Sequence, residues 1–200
     1  MKRAQAVVAI GLAGCGGAAG RLSAPGAFEA PVGLVVDARE RYYDVAGLDL
    51  SAVKSTLEIT GPRIDGERHV AATAWRVDWR FAMGQDARGC RITDVFVRVD
   101  LDTLYPRWTD EAAADPRHGR RWRGFMGALR FHEDRHRRNG LEAGAEAIRR
   151  LWQVLPQPSC AALEDVANGV VGQVTERWRQ ADRQFDDATH HGATQGALLR

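Results

Sequence analysis

The sequence predicts an α+β fold: a small antiparallel sheet packed on two long helices. Three observations carry this expectation. Residues 70–101 hold two runs in which apolar and polar residues alternate, the pattern of half-buried strands. From about residue 122 to 152, and again from about 161 to 190, apolar residues instead recur at three- and four-residue steps, as on an amphipathic helix. Pro156 and Pro158 separate these two helical stretches.

At the N-terminus, Lys2 and Arg3 precede a short apolar run through Val7, Val8, Ile10 and Leu12, which reads as a targeting segment too short to span a bilayer. Leu12-Ala13-Gly14-Cys15 resembles a bacterial lipobox. The resemblance implies a signal peptide over residues 1–14, an acyl anchor on Cys15, and hence an exported protein held in the cell envelope, in the periplasm at the outer membrane. Residues 15–31, rich in Gly and Ala, read as a flexible tether. Residues 32–200 are then one domain with a sizeable core.

Within that domain, Tyr43 to Gly47 closes a short strand, and Leu50, Val53 and Leu57 give helical spacing up to the stop at Gly61-Pro62. In the first alternating run, Thr73, Trp75, Val77, Trp79 and Phe81 share one face against Arg76, Asp78 and Arg80. In the second, Val95, Val97, Val99 and Leu101 point inward, so the two runs form an antiparallel hairpin around a turn between Gly84 and Gly89. The aromatic face reads as core, with a groove lined by Trp75 and Trp79 as the alternative. Pro106-Arg107-Trp108 ends the sheet. The first long helix carries Phe125, Leu129, His132, His136, Gly140, Ala143, Ala147 and Leu151 on one stripe, with Arg130, Asp134, Arg135, Arg137 and Arg138 on the outer face. The stripe of the second runs through Leu163, Ala167, Val170, Val174, Trp178, Ala181, Phe185 and Ala188, and Gly192 is placed to cap it.

A formal net charge of +2 gives no argument for a nucleic-acid partner, and the basic run Arg117 to Arg123 reads as a solvated approach to the first long helix. Export makes the remaining cysteines interpretable: in an oxidising compartment Cys90 and Cys160 are expected to pair.

The chemistry lies in His132-Glu133-Asp134-Arg135-His136, an HExxH string. On a helix, residues four apart sit one turn above each other, so both imidazoles face one Zn²⁺. Glu133 beside them suits a general base that takes a proton from water and passes it to a leaving amine, the arrangement of a metallopeptidase acting on a peptide or protein substrate. The bland alternative makes His132 and His136 ordinary core histidines. A catalytic zinc needs a third protein ligand. Glu142 falls on another face of the helix, and Glu164 lies at the far end of the second one. His191 continues the second-helix stripe from Gln184 and Ala188, with Asp186 and Asp187 in reserve; a histidine there also suits the helix dipole without any metal.

Several separated segments coincide with one family. Tyr43-x-Val45-x-Gly47, Gly61-Pro62, Trp75-x-Val77-x-Trp79-x-Phe81, Cys90, Pro106-x-Trp108, HEDRH, Cys160 and the stretch from Phe185-Asp186 through Thr189-x-His191-Gly192 to Gln195-Gly196 together resemble DUF922, a family described as predicted secreted zinc-dependent proteases. The resemblance implies zinc on His132 and His136, Glu133 as catalytic residue, and a terminal THG-type element near the active site, where His190 is a candidate for transition-state hydrogen bonding. Two positions depart from expectation: Arg135 stands where zincin motifs usually have a small or uncharged residue, and Phe185 stands where a Tyr is expected. The competing reading is a non-catalytic envelope lipoprotein with a structural or relic metal site.

Overall fold

A computed structural model describes residues 32–64 and 66–199. The expected lipobox, Cys15 and tether lie outside them. The chain folds as β1 (Leu34–Val45), α1 (Leu50–Thr60), the short pair β2 (Arg63–Ile64) and β3 (Glu67–Arg68), β4 (Ala72–Asp86), β5 (Gly89–Trp108), α2 (Pro116–Trp152) and α3 (Cys160–Thr189). The α+β class is as expected: a three-stranded sheet packs on two long helices.

The sheet has the order β1-β5-β4 and is mixed rather than purely antiparallel. β4 and β5 form the expected antiparallel hairpin, reversing at Ala87-Arg88 and slipping by a bulge at Ala82/Met83. β1 lies parallel to β5, from Leu34 opposite Val97 to Val45 opposite Trp108. Alternation reports which face of a strand is buried, not the direction of its neighbour, so this parallel pairing is invisible in the sequence. The inner face is apolar. The outer face carries Arg and Asp in cross-strand pairs: Arg98 reaches Asp37 (2.8 Å), Arg76 reaches Asp100 (2.8 Å) and Arg41 reaches Asp102 (2.7 Å), while Arg98 also meets Asp100 of its own strand (2.6 Å).

α2 begins six residues before the expected start, because Asp115 caps it by accepting from the Arg117 amide (2.7 Å) and Pro116 fits its first turn. Ser159 caps α3 in the same way, accepting from the Ala162 amide at 3.2 Å. The far end of α3 departs from expectation. The left-handed cap is His190 (φ 48°), followed by His191 (φ 52°) and Gly192 (φ 82°), so the turn spends three residues where one glycine was expected.

Contacts between the helices run in descending order, His132 with Asp186, His136 with Asp182 and Glu146 with Trp178, so α2 and α3 are antiparallel. Two glycines let α2 lie close on the sheet. A Cβ at Gly140 would stand 2.8 Å from Trp75 Cβ, and one at Gly144 2.3 Å from Val99 Cγ2. One apolar cluster joins the inner sheet face to the C-terminal half of α2 and to α3. A second joins α1, the end of β1, the N-terminal half of α2 and the C-terminal residues Ala197 and Leu199. On α2 the HEDRH turn lies between Leu129 of the second cluster and Ala143 of the first. The aromatic strand face packs on the core as expected: Val77 is buried, Trp75, Trp79 and Phe81 lie half-buried against the same cluster, and the indole N–H groups of Trp75 and Trp79 donate to Asp182 and Asn168. The expected disulfide links Cys90 to Cys160, joining the start of β5 to the start of α3; such a bond is consistent with an extracytoplasmic location. No helix among the described residues is long and apolar enough to cross a membrane.

Candidate metal centre

Helical spacing stacks His132 and His136 on the buried face of α2, 3% and 8% exposed, with their Nε2 atoms 3.3 Å apart. From α3, Asp186 brings Oδ1 to 3.1 Å from His132 Nε2 and 3.0 Å from His136 Nε2. The three atoms form a nearly equilateral triangle, and the three residues are a group able to hold a metal ion. The geometry fits one. A tetrahedral zinc with bonds of about 2.0–2.1 Å spaces its ligand atoms about 3.3 Å apart, and two imidazoles with one carboxylate form an ordinary zinc donor set.

Each imidazole is held from behind. His132 Nδ1 donates to Gln195 Oε1 (3.0 Å), and His136 Nδ1 donates to Asp182 Oδ1 (2.9 Å). Phe185 stacks on the His132 ring at 4.9 Å and meets His136 edge-on at 5.5 Å. Gly192 allows the C-terminal turn to close on the site, because a Cβ there would stand 3.0 Å from His132 Cγ.

Charge in the metal-free group centres on His136 and Asp186. Burial opposes a charge on His136, yet hydrogen bonds to Asp182 and Asp186 outweigh it and lift the imidazole to about 10. Burial likewise works against the Asp186 carboxylate, but hydrogen bonds from His132 and His136 hold it well below its usual range. The proton on His136 therefore occupies the electrostatic place that a cation would take. Glu133 is 4% exposed, and burial pushes its carboxyl above the usual range although Thr73 Oγ1 donates to it at 2.8 Å. A glutamate raised in this way accepts a proton more readily than an ordinary carboxylate.

Among the residues singled out in the sequence, the fold brings His132, Glu133, His136 and Asp186 together. Asp186, the reserve candidate, supplies the third ligand atom of the triangle. His191 stands just outside it, half-exposed, with Nδ1 3.8 Å from Asp186 Oδ1 and its ring 5.0 Å from that of His69. His190 is exposed and ends α3 through its backbone, and Asp187 is exposed. Thr73, Asp182 and Gln195 are additional members that sequence reasoning missed. Asp182 had a legible signal, since it lies one helical turn before Asp186, and Gln195 lay in the family-like terminal stretch expected near the active site; Thr73 arrives from a distant strand and had none.

No curated protein and no solved structure matches the chain. The model of one family, described as a bacterial protein of unknown function (DUF922), matches residues 40–192. That span holds β4, β5 and the second half of β1, HEDRH, both cysteines of the disulfide and the turn that carries His191. The chain belongs to the DUF922 family, and its buried His132-His136-Asp186 group lies inside the matched region.

Proposed function

We propose that this protein is an exported zinc-dependent metallopeptidase in which His132, His136 and Asp186 hold the ion and Glu133 is the general base. The observation that carries the proposal is the triangle of ligand atoms 3.0–3.3 Å apart with a buried, proton-accepting glutamate one residue along the same helix. Three protein ligands leave a position for water, as catalytic zinc sites do, whereas a structural zinc is normally closed by four. The same donor set also suits ferrous iron; the adjacent Glu133 is what favours hydrolysis.

Zinc bound there would supply Lewis-acid polarisation of the scissile carbonyl and acidify the attacking water. Glu133 takes the proton of that water and returns it to the leaving nitrogen, while Thr73 fixes the orientation of its carboxylate. β4 is an edge strand of the sheet, and Thr73 near its start touches Glu133, so an extended peptide adding to that edge would pass the general base. His191, half-exposed beside Asp186, and His190, exposed at the end of α3, are assigned to contacts with the substrate in the transition state. A lipid anchor on Cys15 would hold the enzyme at the membrane of the envelope, where the disulfide is stable.

The test combines metal content by mass spectrometry with hydrolysis of an unstructured protein such as casein. The parent is expected to hold one zinc per chain. His136→Ala and Asp186→Ala should lose it, His191→Ala should keep it, and Glu133→Gln should keep it while hydrolysis falls by about 10²–10⁴-fold. A folded parent that takes up no zinc overturns the proposal, and so does a Glu133→Gln variant that cleaves like the parent.

A further inference from the structure

We propose that Asp182 is the positioning residue of this centre: it fixes the tautomer and aim of His136, and is itself fixed by Trp75 and Asn139. The inference rests on the metal-binding reading above and concerns how the ligand set is held. Asp182 Oδ1 accepts from His136 Nδ1 (2.9 Å) and from Asn139 Nδ2 (2.7 Å), while Oδ2 accepts from Trp75 Nε1 (2.6 Å). One carboxylate thus joins α2, α3 and β4. Asn139 is 1% exposed, and Gly140 leaves the space in which Trp75 lies against α2. The strand's aromatic face and the glycine of the metal helix therefore converge on one hydrogen-bonded oxygen pair.

A simple tie between helices would not need these partners. The bond to His136 reaches Nδ1 of the ring whose Nε2 points into the ligand triangle, so Nδ1 keeps a proton and the Nε2 lone pair is left for a cation. The two histidines differ in this respect. His132 is supported by the neutral amide of Gln195 and His136 by a carboxylate, which raises its basicity as a ligand.

An asparagine at position 182 cannot reproduce the arrangement. It has one acceptor oxygen and one NH₂ group, so either Trp75 or the His136–Asn139 pair would face a donor. Removing the indole N–H with Trp75→Phe lets the amide turn its oxygen to His136. Zinc affinity by chelator competition is therefore expected to fall about 10–100-fold in Asp182→Asn and to recover in large part in Trp75→Phe/Asp182→Asn. Thermal unfolding of each metal-free form separates folding from binding. In the zinc-loaded parent, ¹⁵N NMR should show His136 coordinated through Nε2 with Nδ1 protonated, a readout that requires no variant to fold. Coordination through Nδ1, an Asp182→Asn affinity within about threefold of the parent, or a loss that the double variant leaves unrecovered would each overturn the inference. A parent that binds no zinc would instead remove the underlying metal reading.

Discussion

Removing the disulfide should weaken the fold and leave the metal centre intact. Cys90 and Cys160 are 70 residues apart, so their bond closes a loop for which the chain-entropy model gives a stabilisation of about 4 kcal/mol. A domain of this size is stable by about 5–15 kcal/mol, so the loss is a large share. In thermal unfolding it corresponds to about 10 °C, at 2–4 °C per kcal/mol. The backbone around the bond does not depend on it, because Cys90 and Gln157 exchange both amide hydrogen bonds, at 2.8 and 2.9 Å. The metal group is remote: Cys160 starts α3, and Asp186 lies 26 residues along the same helix, or about 39 Å at 1.5 Å per residue. The variant is Cys90→Ala/Cys160→Ala, since Cys90 is fully buried and serine would leave an unsatisfied hydroxyl there. Urea titration should show a loss of 2–4 kcal/mol, and chelator competition on the folded double variant should give the parent's zinc affinity. A stability loss below about 1 kcal/mol would refute the loop-closure account. A folded variant with weakened zinc binding would refute the claim that the two ends of α3 act independently.

Gly144→Ala should destabilise the protein by about 1–3 kcal/mol, because the added methyl meets Val99, whereas Gly124→Ala and Gly127→Ala, in the same helix with open space around them, should stabilise it by about 0.5–1 kcal/mol; urea unfolding of the three variants checks the contrast, and a shared sign would refute it. The metal-free protein should also be less stable at pH 9 than at pH 6. Its His136 is raised from near 6.5 to about 10, so the contribution of the imidazolium is complete below about pH 6.5 and is lost as pH rises towards 10. Zinc should abolish this dependence by replacing the proton, and calorimetry at pH 7 in buffers of different ionisation enthalpy should detect close to one proton released per zinc bound.

Two periodicities in the sequence determined the strands and helices, because a residue's burial follows from 2.0- and 3.6-residue repeats that need no knowledge of partners. They also put His132 and His136 on one buried face with Glu133 beside them, since spacing of four is a property of the helix alone. Cys90 and Cys160 were legible as a pair once export was inferred from Lys2 to Cys15. Tertiary structure alone decided which residue completes the candidate metal group. Stepping along the stripe of α3 reaches His191, but helix α3 ends at Thr189 and the left-handed turn at His190 and His191 carries His191 off that stripe, while Asp186 stays on it facing α2. The parallel partner of β5, the Thr73 contact to Glu133 and the placing of Gln195 behind His132 are likewise pairings between segments 60 or more residues apart. Periodicity records which face of an element is buried; which side chain meets it from across the core depends on register and helix phase, and those are set only when the elements pack.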